Sequence, residues 1–454
     1  MAWQRLDAFD KKGLTMKIEL ISPSLRDRRN IGKVFYLPQM ALALLASLTP
    51  PDIDISITDE LVQPIDFDKE ADLVGITVNT ETAVRAYEVA DEFRSRGVPV
   101  VLGGIHPKVA QNEAIQHANA LVLGEAEGIW TQLLEDFRNG SLKTFYRSDM
   151  FPSLENSPPP RREIFQRNKY DTINLVQTSR GCPYACHFCS VSTLYGEGVR
   201  LRSVDDVIAE IKTLKGNKLF FVDDNIVGRT GYAKQLFTRL IPLKMKWVGQ
   251  ASVTVANKEE MLKLLHKSGC QGLFVGFETT SIDSLKQVGK IQNVNNNYFE
   301  SIKKLHDNGI LLLGSFIVGF DSDDKSCFER LLEFAVKSKI DIVNLCILTP
   351  YPGTALYEKM KEEKRLIDDK WWLKYDANDV VYKPKLMTRE ELCQGWIWTI
   401  RELYKLCPTL RRCIGGSGRR SLFGNILNWK VNMGFRMNAY AVPEESINPL
   451  TTTL

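Results

Sequence analysis

No cysteine precedes Cys182; all nine lie at or after that position, and they form no even framework of the kind that staples small secreted domains. No secretory leader opens the chain, and no apolar run reaches the roughly 18 residues a membrane span needs. These absences predict a reducing cytoplasm. Charge of one sign is lacking too. With 59 basic and 55 acidic residues the net charge is +4, which predicts no general affinity for nucleic acid. Histidine is scarce, at five, and none occurs before His106. What is present is length: 454 residues, 44% hydrophobic and 25% charged, enough for about two to three soluble domains that each bury a core.

The densest chemical signal is the run Thr178-Ser-Arg-Gly-Cys-Pro-Tyr-Ala-Cys-His-Phe-Cys-Ser190. Cys182, Cys186 and Cys189 place three thiols on one short loop, and the next cysteine is Cys270. Three thiolates can hold three irons of a cubic [4Fe-4S] cluster and leave the fourth iron open. A purely electron-transferring cluster normally takes four. The alternatives are three packed apolar cysteines or a zinc site short of a ligand. For zinc, His187 lies inside the triplet at an unusual spacing.

Apolar runs alternate with helical patterns from about 16 to 145. Strands are expected at 17–22, 54–58, 73–78, 98–102 and 120–123, forming a doubly wound parallel sheet. Ligands bind beyond the carboxyl ends of such strands, which here include Gly103, Gly104 and His106. A lone histidine of this kind is more often a packing residue. The polar, proline-rich segment around Ser157-Pro-Pro-Pro160 reads as a linker. Six further strands, at 174–178, 218–222, 246–251, 272–277, 311–318 and 342–348, predict a partial (β/α)6 barrel whose chemistry gathers at the strands' carboxyl ends. The expected domains are 1–150, 151–360 and a mainly helical C-terminal region, 361–454. In that last region Thr388 and Glu391 form a capping box for a helix running to about Leu406. Beyond it, basic and aromatic residues interleave. They read as the solvated face of a C-terminal cap, with docking on anionic lipid as the alternative.

The cysteine spacing, with Phe188 before the last cysteine and Arg-Gly-Cys-Pro at the start, resembles the radical S-adenosylmethionine superfamily. Asp72-Leu-Val-Gly-Ile-Thr77, Val101-Leu-Gly-Gly-Ile-His106 and Val122-Leu-Gly-Glu-Ala-Glu127 resemble the cobalamin-binding domains fused in front of it. The Asp-x-His-x-x-Gly loop that supplies a cobalt ligand in many cobalamin proteins is missing. The resemblance implies a [4Fe-4S] cluster whose open iron chelates S-adenosyl-L-methionine, with cobalamin as a further cofactor. It also implies an electron donor such as flavodoxin or ferredoxin. For S-adenosylmethionine contacts it suggests Asp223, Gln250, Ser252, Glu278 and Arg202, with Arg202 open to a structural ion pair instead. Backbone from Gly314 to Phe320 would face the adenine, and Tyr351, in the Thr349-Pro-Tyr-Pro-Gly-Thr354 turn, is a candidate cleft residue.

The function so implied is a cobalamin-dependent methyltransferase acting on an unactivated carbon of a small or hydrophobic, lipid-like substrate. Oxidation, rearrangement or carbon–carbon coupling without methyl transfer is the alternative. A methylthiotransferase would need a second cysteine set in the N-terminal domain. A scaffold or redox sensor would hold a cluster without cleaving S-adenosylmethionine.

Overall fold

The computed structural model describes residues 15–25, 36–148, 150–367, 371–414 and 420–441. The chain divides into two compact units, with the boundary between Ile173 and Asn174.

In the first unit, β1 (Met16–Ser22), β2 (Ile53–Asp59), β3 (Leu73–Thr77), β4 (Val100–Gly103), β5 (Ala120–Leu123) and β6 (Phe145–Arg147) form a wholly parallel sheet in the order β2-β1-β3-β4-β5-β6. The expected strands fall within one or two residues of these. β6 adds an edge that three residues could not announce by periodicity. β3 and β5 are almost wholly buried, as strands covered on both faces by helices must be. The chain leaves β1 toward β2 on one side and returns as β3 on the other. That makes β1/β3 the point where the strand order reverses and ligands characteristically bind.

The expected linker is not a free tether. Arg161 N–H donates to the Ala43 carbonyl (3.0 Å), Ser47 Oγ to the Pro159 carbonyl (2.8 Å) and Tyr170 Oη to Asp59 (3.1 Å). Residues 151–173 are thereby fastened to the first unit, which moves the boundary from the expected 150/151 to 173/174. The expected C-terminal region does not separate either, because it shares the core of the second unit.

The second unit is built on β7 (Leu175–Val176), β10 (Lys218–Phe221), β11 (Lys246–Ala251), β12 (Cys270–Glu278), β13 (Leu311–Val318) and β14 (Ile342–Ile347). All are parallel, in the order β14-β13-β12-β11-β10-β7. Neighbours follow chain order and the two end strands do not pair with each other, so the barrel is partial. Alternate residues separate its two faces. Leu219, Phe221, Trp247, Leu273, Val275, Phe277, Phe316 and Leu345 are buried. Phe220, Val248, Gln250, Phe274, Ser315, Ile317, Asn344 and Cys346, on the other face, keep some exposure. Trp247 anchors the buried side by stacking on Phe237, with its indole N–H on the Ser268 carbonyl (3.1 Å). A two-stranded antiparallel ribbon, β8 (Ser179–Arg180) with β9 (Arg200–Leu201), stands outside this sheet. The helix Arg389–Leu403 starts at the expected Thr388–Glu391 capping box. Two further helices, Leu406–Ile414 and Leu422–Ala441, complete the unit.

Candidate active site

A loop of three cysteines has little regular structure of its own, so other elements must fix it. The ribbon β8–β9 closes the neck of the loop. There Gly181, at φ +90°, passes so close to Gly198 that an added Cβ would lie 2.3 Å from the Gly198 carbonyl oxygen. Three consecutive residues after β10 hold the rest. Asp223 is fully buried and accepts from Thr178 N–H (3.1 Å), Thr178 Oγ1 (2.7 Å) and Ser179 Oγ (2.5 Å). Asp224 accepts from Gly181 N–H (3.1 Å). The Asn225 amide oxygen takes the Ser252 N–H (3.3 Å), while the same side chain bonds Cys182. The far side of the loop is strapped down by backbone bonds. His187 N–H donates to the Val288 carbonyl (2.9 Å), and the His187 carbonyl accepts from Leu356 N–H (2.9 Å). Thr193 Oγ1 donates to the Gly353 carbonyl (2.8 Å) in the turn that carries Tyr351.

All three thiols are free and partly buried, and each sulfur has a hydrogen-bond donor. Cys182 has Tyr184 N–H and the Asn225 side chain; Cys189 has Val191 N–H; the Gln292 amide reaches Cys186 Sγ at 3.7 Å. Burial raises the pKa of Cys182 and pushes that of Cys189 up to about 11, so negative sulfur here needs compensating charge. Lys290 supplies some of it. Burial pulls its ammonium down, but Glu278 and the nearby Cys186 and Cys189 outweigh that and raise its pKa. Its Nζ lies 5.9 Å from the Phe188 ring centroid. Among the described residues no three His, Cys, Asp or Glu side chains converge around a single ion position. In an iron–sulfur cube each thiolate takes its own iron. Three separate sulfurs, each with an N–H donor, and a buried cation beside two of them fit the cluster.

Glu278 ends β12 at a register shift, in the left-handed region at φ +64°. Asn293 supports this conformation: its amide donates to the Gly276 carbonyl (3.0 Å) and the Phe277 carbonyl (3.2 Å). The Glu278 carboxylate is paired with Lys290, and both side chains are nearly buried. A Cβ on Gly276 would fall 2.3 Å from Glu278 Oε1 and 2.9 Å from Lys290 Nζ, so a side chain there would displace the pair.

The other expected positions have plainer roles. Arg202 is in a structural ion pair with Glu210 (2.6 Å) and donates to the Gln177 carbonyl (2.9 Å). Ser252 caps a short helix by accepting from Thr254 N–H (3.4 Å). Gln250 is exposed on β11. In the segment expected at the adenine, Gly319 and Phe320 N–H groups are taken by Asp323 (2.9 and 3.1 Å) and the Gly319 carbonyl by Tyr382. Sequence reasoning placed the run Asp223-Asp-Asn225 at the end of β10, but as ligand contacts rather than as the residues that hold the loop, and it missed Lys290. Asp224 and Asn225 are signalled only by adjacency to Asp223, and Lys290 has no local signal.

In the first unit, Gly104 has φ +106°, and a Cβ would sit 2.7 Å from the Val78 carbonyl oxygen. The chain's own backbone, rather than a ligand, requires that glycine. Gly103 and Gly124 lie at strand ends, and a Cβ at Gly124 would meet open space. His106 is fully buried, bonds Val78 through its backbone (3.1 Å) and faces Thr80 Oγ1 (3.4 Å). Burial holds its imidazole down to about 4, so it stays neutral.

Two outcomes follow for the cluster-free protein. Burial raises the Asp223 carboxyl from 3.8 to about 6, so between these values the folded chain binds more protons than the unfolded. Stability contributed there falls as pH rises, by about 3 kcal/mol at most. Asp223→Asn removes that slope from thermal midpoints recorded across pH 4 to 6; equal slopes in both proteins contradict the assignment. Glu278→Gln or Lys290→Met alone leaves a buried charge unpaired and lowers stability by about 3–5 kcal/mol. The double variant regains most of that loss in urea melts, whereas additive losses contradict the pairing.

Residues 176–335 match the Radical SAM superfamily, and residues 354–415 match a Domain of unknown function (DUF4070). The chain is similar to the bacteriochlorophyllide d C-12(1)-methyltransferase of Chlorobaculum tepidum, with 31% identity over 88% of each chain. It is also similar to the bacteriochlorophyllide d C-8(2)-methyltransferase of that organism, with 32% identity over 76% of this chain and 80% of that one. Its fold matches the solved structure of the radical S-adenosylmethionine methyltransferase TsrM from Kitasatospora setae, determined with cobalamin and a [4Fe-4S] cluster bound. The TM-score is 0.66 at 15% identity, over 94% of this chain and 99% of that one. With its three-thiol loop at the carboxyl edge of a parallel partial barrel, the chain belongs to the radical S-adenosylmethionine superfamily.

Proposed function

We propose that this chain is a cobalamin-dependent radical S-adenosylmethionine methyltransferase that acts on an unactivated carbon of a hydrophobic substrate. The observation that carries the reading is the cysteine loop itself: three donor-supported sulfurs, no fourth cysteine in the loop, and a buried Lys290–Glu278 pair beside it. Relatives that methylate bacteriochlorophyllides, large apolar macrocycles, support the substrate class.

Cys182, Cys186 and Cys189 would hold the cluster. The strand ends around Gly103 and Gly124 are the candidate surface for the corrin. With cluster, S-adenosylmethionine and corrin bound, the chemistry supplied is reductive cleavage of the sulfonium, hydrogen abstraction from carbon and delivery of a methyl group. The protein's part is positioning. Asp223, Asp224 and Asn225 fix the loop, and Lys290 offsets negative charge on Cys186 and Cys189. Glu278 would accept from ammonium or hydroxyl groups of the cofactor once Lys290 shares it. Phe220 and Phe274, with ring centroids 5.8 Å apart, give this otherwise mixed face an apolar patch that would help exclude water. A one-electron donor of the flavodoxin or ferredoxin class would supply the electron. A lipid-like substrate would bring the enzyme to a membrane surface.

The test is anaerobic reconstitution with iron, sulfide and hydroxocobalamin, followed by mass spectrometry of reduced enzyme with S-adenosylmethionine. Retained corrin, with both 5′-deoxyadenosine and S-adenosylhomocysteine formed, is the expected outcome. Replacing Cys182, Cys186 and Cys189 together by alanine should abolish the cluster's visible absorption and 5′-deoxyadenosine formation. 5′-Deoxyadenosine from a protein that retains no corrin would instead indicate radical chemistry without methyl transfer.

A further inference from the structure

The helix Leu422–Ala441 is inverted relative to an ordinary surface helix. Its inward side is mixed: Asn428 and Asn432 are fully buried, with Gly424, Val431 and Ala439, and Phe435 stacks on Tyr404. The Asn432 amide donates to the Asp341 carbonyl at the foot of β14 (3.1 Å) and to Asn428 Oδ1 (2.7 Å). Arg420, just before the helix, forms a fully buried ion pair with Asp341. The outward side is large and apolar. Leu422 is 78% exposed, Ile426 59%, Trp429 47%, Met437 73% and Tyr440 49%. With half-exposed Met433 these residues follow one another at steps of four, three, four, four and three. At about 100° per residue they fall within an arc of roughly 80°. Isolated exposed apolar residues need no explanation, but a continuous stripe on a helix that buries asparagine does.

Charge identifies what covers the stripe. From Leu403 to Pro443 there is no aspartate or glutamate, while lysine and arginine occur seven times; Arg412 and Arg420 are buried and Lys405 pairs with Glu402, which leaves Arg411 and Lys430 as the exposed cations among the described residues. Lys430 and Arg436 fall on opposite flanks of the stripe; Arg436 donates to the Tyr404 carbonyl (2.6 Å), while Lys430 is exposed at the flank, where a long basic side chain can lay its stem along acyl chains and its ammonium near lipid headgroups. An apolar protein partner would not call for basic residues on both flanks. Among the described residues no helix is long and apolar enough to cross a membrane.

We propose that the outward face of Leu422–Ala441 docks this chain on an anionic lipid bilayer. The helix meets the barrel at the amino ends of its strands. Lys218 and Lys246, which start β10 and β11, place their ammonium groups 5.0 and 5.6 Å from the Phe423 ring centroid, and Ser421 bonds Gln271 near the start of β12. The cysteine loop lies at the carboxyl ends. Docking is therefore separable from the radical chemistry and survives if the methyl-transfer reading fails.

The experiment is flotation of the full-length, cluster-reconstituted chain with vesicles of phosphatidylcholine alone or mixed with phosphatidylglycerol. The chain should float with the anionic vesicles, more weakly as salt is raised. Ile426→Ser/Trp429→Ser/Met437→Ser should reduce flotation about tenfold or more with the iron content unchanged. Lys430→Glu, which leaves the stripe intact, should weaken binding to the anionic vesicles alone. No flotation with either vesicle, or equal flotation of the wild type and the triple variant, overturns the proposal. So does a dimer in light scattering that the triple variant dissociates while vesicles bind neither protein, since a second copy then covers the stripe.

Discussion

The buried carboxylate of Asp223 is the tie on which the site depends. A loop that carries three thiolates apart from one another cannot be a helix or a strand, because either would fix the sulfur positions by its own period. Its shape has to be imposed from outside. Asp223 does this by taking the backbone and hydroxyl donors of Thr178 and the hydroxyl of Ser179 at the point where β7 gives way to the loop. Asp224 and Asn225 continue the grip on Gly181 and Cys182. The loop is thus registered to the carboxyl end of β10, and through the Ser252 backbone to that of β11. Burying a carboxylate for this purpose is unfavourable in itself, and the donors around it are what make it tolerable.

A second constraint acts at Glu278. Phe277 and Glu278 end β12 with a shift in register, and the left-handed backbone at Glu278 persists because Asn293 occupies the carbonyls on its amino-terminal side. Strain of this kind is characteristic of functional positions. The result is a buried cation–carboxylate pair next to Cys186 and Cys189, assembled from segments about a hundred residues away in sequence. An ammonium beside a cluster adjusts both the basicity of the thiolates and the ease of adding an electron.

The cysteine spacing made the loop legible in the sequence, and the continuous apolar runs made almost every strand legible. Short elements escaped: β6, β8 and β9 are two or three residues long and have no period to detect. Asp223 was placed at the correct strand end, but its partners lie some forty-five residues upstream, so the sequence could not tell a carboxylate that meets a ligand from one that holds the chain. Arg202 and Ser252 show the same limit, one paired with Glu210 and the other capping a helix. Lys290 carried no signal, because its significance is purely tertiary. The terminal segment read as the solvated face of a cap because basic and aromatic residues interleave there without a clean amphipathic run. Only the packing against Asp341 shows which side is in and which is out.

The central claim is that three cysteines hold the cluster and leave one iron for S-adenosylmethionine. Mössbauer spectroscopy of the chain reconstituted with iron-57, with and without S-adenosylmethionine, tests it most directly. The account predicts that one iron of the four changes its parameters when S-adenosylmethionine is added, while the other three do not. A spectrum indifferent to S-adenosylmethionine, or a cluster whose four irons are all ligated by the protein, would contradict it.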